Sequence, residues 1–435
     1  MQTAQAESYL RRCASLMGRW FPAGAICSSN PGRKTMKVSI IGCPFRTTYG
    51  QYIESLRSAM ERHQAQVQWI ASNCGCQDPK ELARDFQSTD IDYFELPNEV
   101  GPWSVLVYSP ETARRALKEP LRAASLSYRT SRYANLSEGA DVVHVQQTLN
   151  AFGANSAFRI LRRIAAPARV ITLHELDPEQ TARPELNAIY NLADAIVVHD
   201  SLMKKKIVAF GVSADLVHVV RCGTEIDPFD EPAVRDGLVF YGGHQLNKGK
   251  GLRVLLDAYL RLKQDLPTAP PRLRIHGHFG PVPADARDMV RDFGLVDDVE
   301  WLGDLSNDEI KSLYRRSQVC VLPYTGSFAG LPVGLAAANR LPVISTRYAG
   351  IPDHIGDLGI YVDGADPAEL AARLSAVLGD AAMRAECGLR LRAHAERHLG
   401  WDTVAGDTLD VYRAAREQAQ FRKLPDTERK VASMA

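Results

Sequence analysis

The sequence predicts an α/β protein built from two doubly wound domains of similar size that face each other across a cleft. Three observations carry this. The chain has 435 residues, whereas single hydrophobic cores stop growing at roughly 250–300 residues. From Met36 onward, short continuous apolar runs alternate with stretches of helical period, as buried parallel strands and their crossover helices do. The alternation then breaks at the proline-bracketed segment Asp227-Pro-Phe-Asp-Glu-Pro232 and restarts beyond it. The expected division is an N-terminal extension at 1–35, a first domain at 36–227, a second at 228–400, and a C-terminal helix and tail at 401–435.

In the first domain the runs at 36–42, 67–71, 105–108, 142–145, 170–173, 195–198 and 217–220 read as strands. Ile53, Leu56 and Met60 mark one face of a helix after the first of them. Helical stretches near 111–125, 152–164, 184–192 and 201–210 separate the later strands. In the second domain 238–241, 273–276, 299–302, 319–322, 343–345 and 360–362 are the strands. Leu252, Leu255, Leu256 and Tyr259 line one face of a helix at 250–262. The chain beyond Trp401 reads as helical, then as ragged and charged from Gln418, with a frayed end over roughly the last 15 residues.

Composition excludes several classes. A hydrophobic content of 45% and a charged content of 24% are globular averages. Fifty-two basic against fifty-one acidic residues leave a formal charge of +1, so no basic field invites nucleic acid. The eight cysteines are scattered, and Cys74-Gly-Cys76 lacks a second pair at zinc-ligand spacing, so no metal site is expected. No run approaches the ~18 apolar residues of a membrane span, and the first 35 residues lack the apolar core of a secretion signal. A cytoplasmic protein is expected. Leu10, Cys13, Met17 and Trp20 recur at helical spacing beside Arg11, Arg12 and Arg19, and this segment is the candidate for peripheral contact with the inner face of a membrane.

Four groups converge on the expected cleft. The stretch from Val319 to Pro352 is a strand, a glycine-bearing loop with Ser327, Phe328 and Ala329, and a small-residue helix opening at Gly330 and Leu331. Unpaired backbone N–H groups at such a helix start suit a phosphate or diphosphate. The second group, Tyr241-Gly-Gly-His-Gln-Leu-Asn-Lys-Gly-Lys-Gly251, brings Gly243, His244, Lys248 and Lys250 to the end of another strand. Lysine just ahead of a helix opposes the helix dipole unless an anion offsets it. The third is Thr172-Leu-His-Glu-Leu176, whose His174 could donate to a sugar hydroxyl or work near neutral pH. The fourth is Ala349-Gly-Ile-Pro-Asp353, where Asp353 is either a ribose or base ligand or a helix cap. Asp90-Ile-Asp92 and His276-Gly-His278 are weaker: a solvated edge strand explains the first, and the second lacks further metal partners.

At this point the sequence resembles a GT-B glycosyltransferase of the family 4 type, with two Rossmann-like domains. The likeness is clearest over 238–362. Lys250-Gly-Leu-Arg-Val-Leu-Leu-Asp-Ala258 is similar to the family's Lys-Gly-Leu helix. Phe293-Gly-Leu-Val-Asp-Asp-Val-Glu-Trp-Leu-Gly303, Cys320 to Tyr324 and Leu341-Pro-Val-Ile-Ser345 then follow in the family's order. Asp141-Val-Val-His-Val145 and Ala193-Asp-Ala-Ile-Val-Val-His199 resemble the first domain more loosely. The chain departs from the family at its paired glutamates, whose places fall on Ser327 and Leu335, and the usual arginine before the lysine is missing.

The resemblance implies transfer of a hexosyl group from a nucleotide-diphosphate sugar to a saccharide, lipid-linked or small-molecule acceptor, in polysaccharide or glycoconjugate biosynthesis. It further implies retention of configuration, no metal and no cofactor beyond the donor itself. On that reading His174 and Lys250 are the catalytic pair. Lys248, Lys250, Gly243, His244, Gly330 and Leu331 hold the diphosphate, and His174, Ser327, Phe328, Ala329 and Asp353 meet the donor sugar and nucleotide. Arg46 and Gly50, in a loop at 44–50, lie across the cleft. A nucleotide- or sugar-binding partner protein that has lost turnover is the rival reading, and the absent glutamates motivate it.

Overall fold

The structure, a computed structural model, describes residues 35–42, 48–72, 91–94, 130–147, 160–174, 190–228, 234–241, 249–266, 268–277, 282–303, 305–326, 330–348, 350–363 and 366–423. Over these residues the chain forms two sheets. The first contains β1 (Lys37–Ile41), β2 (Gln66–Ser72), β3 (Ile91–Phe94), β4 (Val142–Gln147), β5 (Ala168–Leu173), β6 (Ala195–Val198) and β7 (Val217–Val219), in the order β3-β2-β1-β4-β5-β6-β7. The second contains β8 (Leu238–Tyr241), β9 (Leu273–His276), β10 (Val299–Gly303), β11 (Val319–Leu322), β12 (Val343–Thr346) and β13 (Ile360–Val362), in the order β10-β9-β8-β11-β12-β13. Each pairing is parallel. Each sheet therefore runs outward from a central strand, returns, and runs outward on the other side. The direction reverses between β1 and β4 in one sheet and between β8 and β11 in the other, and in open α/β sheets ligands bind at that reversal, beyond the carboxyl ends of the strands.

The strands read as continuous apolar runs because helices cover both faces of a parallel sheet. β6 and β11 are buried along their whole length. The helices are α1 (Thr48–Arg62), α2 (Ser201–Ala209), α3 (Leu252–Asp265), α4 (Ala284–Asp292), α5 (Asn307–Arg316), α6 (Gly330–Ala338), α7 (Ile351–Ile355), α8 (Pro367–Gly379), α9 (Ala381–His398) and α10 (Trp401–Lys423). α1 buries Tyr52, Ile53, Leu56, Ala59 and Met60, a stripe at intervals of three and four. α5 starts at a full capping box, Ser306 with Glu309. The cores follow the sheets: one cluster surrounds β8 to β13, and two cover the faces of the first sheet.

The expected strands at 36–42, 67–71, 142–145, 170–173 and 195–198, and all those of the second sheet, are present to within two residues at either end. The strand expected at 105–108 and the helix at 111–125 lie outside the described residues. Of the helices expected at 152–164 and 184–192, residues 160–163 are helical and 190–192 form a 3₁₀ turn. Asp92 lies on the edge strand β3.

One expectation is corrected. The chain does not fray from Gln418, because α10 continues to Lys423. Val404, Thr408, Val411, Tyr412, Ala415 and Ala419 form a buried face of this helix. That face leaves the second sheet and packs on α1, β5 and β6 of the first. Near its end Arg422 donates to the carboxylate of buried Asp194 and to the carbonyl of Ala193, both at 3.0 Å.

Candidate functional site

At the reversal point of the second sheet, two glycine loops are pressed together. Gly249 and Gly251, with φ of 72° and 75°, sit in the left-handed region that favours glycine. A side chain on Gly251 would come within 2.0 Å of the Pro323 carbonyl oxygen, and one on Gly249 within 2.9 Å of Gly326 Cα. Glycine is therefore required at both positions. The Gly249 carbonyl accepts from the N–H groups of Thr325 and Gly326, at 2.9 and 3.2 Å, which ties the loop ahead of α3 to the loop after β11. Between the two glycines, Lys250 is 6% exposed, and its Nζ lies 4.2 Å from the centre of the Tyr324 ring. The aromatic face holds the ammonium in place. β12 braces the same loop, since Thr346 donates to the Tyr324 carbonyl and Ser345 donates to that of Leu322 at 2.7 Å.

α6 opens a few residues beyond Gly326, with Gly330 buried at its start. Its first N–H groups have no partner within the helix, and the dipole makes that end electropositive. Leu331 packs against the cluster formed by Tyr52, Cys222 and Trp401, on the α1 and α10 side of the first sheet. The first turn of α6 thus reaches from one sheet's core to the other's.

The first sheet contributes a chain of buried polar groups. Adjacent strands β4, β5 and β6 each bring a histidine: His144 within β4, His174 just after β5 and His199 just after β6. His144 is bonded through Nδ1 to the Tyr412 hydroxyl and through Nε2 to the Thr172 hydroxyl, both at 2.6 Å. His174 Nε2 lies 2.8 Å from Gln146 Oε1, and its Nδ1 lies 3.1 Å from His199 Nε2. His199 Nδ1 donates to the Val220 carbonyl at 2.9 Å. Tyr52 stands edge-on to His174 and His199, with ring centres 4.9 and 5.5 Å away. Burial disfavours the imidazolium form throughout. It lowers His144 to about 3 and His199 to about 4, and holds His174 well below its ordinary value.

The two sheets are joined by contacts that do not involve the glycine loops. α7 faces the start of α2. Arg221 Nε donates to the Asp353 carbonyl at 2.6 Å, and Ser201 donates to the Asp353 carboxylate at 3.1 Å. Gly350, with φ of 72°, lets α7 approach so closely that a side chain there would meet Asp200 Cβ at 2.7 Å. His354 donates from Nδ1 to the Gly350 carbonyl at 2.9 Å and accepts at Nε2 from the Cys222 N–H at 3.1 Å. Burial lowers His354 to about 4 as well. Two chain crossings run side by side, where the Thr224 N–H donates to the Leu399 carbonyl at 2.7 Å and Thr224 bridges Gly400.

Of the residues singled out in sequence, Lys250, Gly330 and Leu331 stand at the reversal point of the second sheet, while His174 is buried at the carboxyl end of β5. Lys248, Gly243, His244, Ser327, Phe328, Ala329 and Arg46 lie outside the described residues. Gly50, expected in a loop, is instead a buried residue in the first turn of α1, which starts at Thr48. Burial of the apolar stripe that starts at Tyr52 and Ile53 carries the helix through Gly50, whose own preference opposes it. The Asp353 carboxylate is engaged by Ser201 across the two halves. His276 meets Tyr314 at 3.2 Å, and His278 is outside the described residues. Leu335, at the place of the second family glutamate, lines a crevice with Glu225, Asp227, Lys311 and Arg392. Lys311 is paired there with both carboxylates, so the acidic groups at this spot come from the segment between the sheets.

Sequence reasoning missed Gln146, His199, His354 and Tyr412. The repeated Val-Val-His at 142–144 and 197–199 was the available signal for His199. It places one histidine within β4 and another just after β6 of the same sheet.

A fold of this class, with paired reversal points and a lysine between glycine loops, finds its counterpart among known proteins. The family described as "Glycosyl transferase 4-like domain" matches residues 47–223, and that described as "Glycosyl transferases group 1" matches residues 235–380. The chain belongs to this glycosyltransferase family, and its fold is GT-B. It is 28% identical over 264 residues to a D-inositol 3-phosphate glycosyltransferase of Corynebacterium kroppenstedtii, a match covering 55% of this chain and 57% of the relative. The chain therefore spans a little over half the length of that relative. Among solved structures, sucrose-phosphate synthase of Thermosynechococcus elongatus superposes with a TM-score of 0.67 at 20% identity, covering 87% of this chain and 98% of the other. Anabaena HepE in complex with UDP superposes with a TM-score of 0.65 at 14% identity, covering 87% and 100%. Among the described residues no helix is long and apolar enough to cross a membrane.

Proposed function

We propose that the protein is a glycosyltransferase that moves a hexosyl group from a nucleotide-diphosphate sugar to a saccharide, lipid-linked or small-molecule acceptor. The carrying observation is Lys250, enclosed between two interlocked glycine loops at the reversal point of the second sheet and held against Tyr324. A buried cation beside a helix start suits a diphosphate, whose negative charge grows as the sugar leaves. Lys250 neutralises that charge, and the N–H groups of Gly330 and Leu331 share it. Lys248, Gly243 and His244, outside the described residues, are further ligands of the diphosphate on this reading. His174, with Ser327, Phe328 and Ala329, meets the donor sugar.

Transfer proceeds with retention and without a metal. The bond between the anomeric carbon and the diphosphate oxygen loosens first. The acceptor hydroxyl attacks the same face, and a departing diphosphate oxygen takes its proton. No protein carboxylate is needed as base, so Ser327 and Leu335 in the places of the family's glutamates are compatible with turnover. A uridine diphosphate sugar is the first donor to try, because structural relatives are recorded with UDP and with UDP-glucose.

The test is thermal stabilisation and turnover with a panel of nucleotide sugars. A ligand that binds only the folded state raises the melting temperature. Stabilisation by one diphosphate nucleotide, lost in Lys250→Ala, supports the site. A panel that gives neither stabilisation nor transfer refutes it.

A further inference from the structure

We infer that His199 is a positioning residue that fixes the tautomer of His174 and so makes His174 Nε2 a hydrogen-bond acceptor for a hydroxyl of the donor sugar. The inference rests on the donor-site reading of His174 and adds the direction of its hydrogen bond.

The argument begins at a group that cannot change its role. The Val220 carbonyl is an acceptor only, and its residue is pinned in the sheet because the Val220 N–H donates to the Val198 carbonyl at 2.9 Å. His199 Nδ1 lies 2.9 Å from that carbonyl oxygen, so the proton of a neutral His199 is on Nδ1. His199 Nε2 is then bare, and 3.1 Å away His174 Nδ1 has to supply the proton between the two rings. A neutral His174 with its proton on Nδ1 leaves Nε2 bare. Each hydrogen bond fixes the next, so a backbone carbonyl two rings away decides what His174 offers. The alternative, an Nε2–H tautomer of His174, would turn a bare His199 Nδ1 toward the Val220 carbonyl unless a second proton entered the pair. Burial opposes such a charge.

The group now facing His174 Nε2 is the Gln146 side-chain amide, with an oxygen-to-nitrogen distance of 2.8 Å. Two acceptors do not face each other at that separation, so the amide presents its NH₂ group to His174. Turning the amide over exchanges the two ends without moving the rest of the side chain, and it brings the oxygen to His144, whose ring nitrogens lie 3.3 and 3.2 Å from the other end of the amide. Gln146, itself buried, thereby occupies the place of a donor, and a sugar hydroxyl that displaces its amide donates to the same nitrogen. Edge-on contact with Tyr52 fixes both ring planes, at 4.9 and 5.5 Å. His144 is bracketed differently, by the hydroxyls of Tyr412 and Thr172, each able to donate or accept, and by the far end of the Gln146 amide, so its ring can supply the proton that the turned amide oxygen accepts.

The consequence is selectivity. A hydroxyl can donate to a bare nitrogen, whereas a fluorine in its place cannot, and a deoxy sugar offers nothing. The site therefore discriminates against the fluoro and the deoxy analogue alike at one position of the donor sugar, and accepts them at the others.

Two measurements on the full chain test this. The first is ¹⁵N NMR of histidine-labelled protein without ligand, which distinguishes the two tautomers of His174. The Nδ1–H form is expected in the wild type and in His199→Gln, whose amide can still donate to Val220 and accept from His174. Its loss is expected in His199→Leu. An Nε2–H form in the wild type, or an unchanged tautomer in His199→Leu, overturns the inference. The second is kcat/KM with the donor and its series of fluoro and deoxy analogues. His199→Leu is expected to lose about ten- to thirtyfold with the parent sugar, the scale of one buried hydrogen bond, and to lose the discrimination at the matched position. His199→Gln is expected to recover to within about threefold. Undiminished discrimination in His199→Leu overturns the inference even if its activity falls. The two readings fail separately. An active enzyme whose His174 tautomer is reversed refutes the relay alone, and a correct tautomer in a protein that binds no nucleotide sugar refutes the donor site.

Discussion

Acidification should unfold this protein earlier than its carboxylates alone would require, because its buried histidines are neutral in the folded state. His144 is lowered to about 3, and His199 and His354 to about 4, each chiefly by burial, against an ordinary value of 6.5. The unfolded chain binds protons at these positions once pH falls below 6.5, while the native state binds them only near 4 or below. The stabilisation is therefore complete above the unfolded value and is lost as pH falls toward the folded values. Each group removes about 1.4 kcal/mol per pH unit across that window. Three groups remove about 5 kcal/mol between pH 6.5 and pH 5, which is comparable to the whole stability of an ordinary domain. Asp200 and Asp407, whose carboxyls are raised by burial, act in the opposite sense. Urea unfolding followed at half-unit steps from pH 7.5 to pH 5 gives the proton uptake as the slope of stability against pH. A slope of at least two to three protons near pH 5.5 is expected for the wild type, because His174, also held well below its ordinary value by burial, adds to the three. His354→Gln can still donate to Gly350 and accept from Cys222, so it should lower the slope by about one proton. A wild-type slope below one proton, or a His354→Gln slope equal to the wild type's, would refute the assignment of neutral buried histidines.

Four further outcomes follow from individual contacts. Lys250→Ala should weaken binding of a diphosphate nucleotide by about 10- to 100-fold in calorimetry, the scale of a charge-assisted contact. Gly251→Ala should cost about 2–4 kcal/mol in chemical unfolding, because the added methyl meets the Pro323 carbonyl at 2.0 Å as well as requiring a φ of 75°. Gly294→Ala, at a φ of 67° with nothing within 4 Å of the added methyl, should cost only the conformational penalty of about 1 kcal/mol. Tyr412→Phe removes the partner of His144 Nδ1 and should cost about 1–3 kcal/mol; a value near zero would show that water replaces the hydroxyl.

The strands were legible because parallel, doubly covered strands are written as short apolar runs, and Val319–Leu322 or Ala195–Val198 has no other plausible use. Lys250 was legible for a local reason: a lysine between glycines at the end of a strand is unfavourable at a helix start without an anion. The histidine relay was not legible in the same way. His174 and His199 are 25 residues apart in sequence, and they meet only because β5 and β6 are neighbours in register, with Leu173 opposite Val198. Asp353 was readable as an acidic residue near the cleft, but its bond to Ser201 depends on how the two halves meet. No spacing within α7 encodes that. The far end of α10 was misread because its Arg422 looks like part of a charged tail until Asp194, distant in sequence, is placed beside it.

The segment leaving β7 links these features. Within five residues it carries the Val220 carbonyl that sets His199, the Arg221 guanidinium and Cys222 N–H that bind α7, and Thr224, which pairs with the returning chain at Leu399 and Gly400. Its beginning belongs to the first sheet, since the Val220 N–H is bonded to Val198. Separation of the two halves would therefore break the bonds of Arg221 and Cys222 to α7 and leave the bond between His199 and Val220 intact. The tautomer of His174 is in that case a property of the first sheet alone, set before any donor arrives. On the proposed function, the histidine that would orient the sugar and the lysine that would bind the diphosphate are therefore built on separate supports, joined by one short stretch of chain.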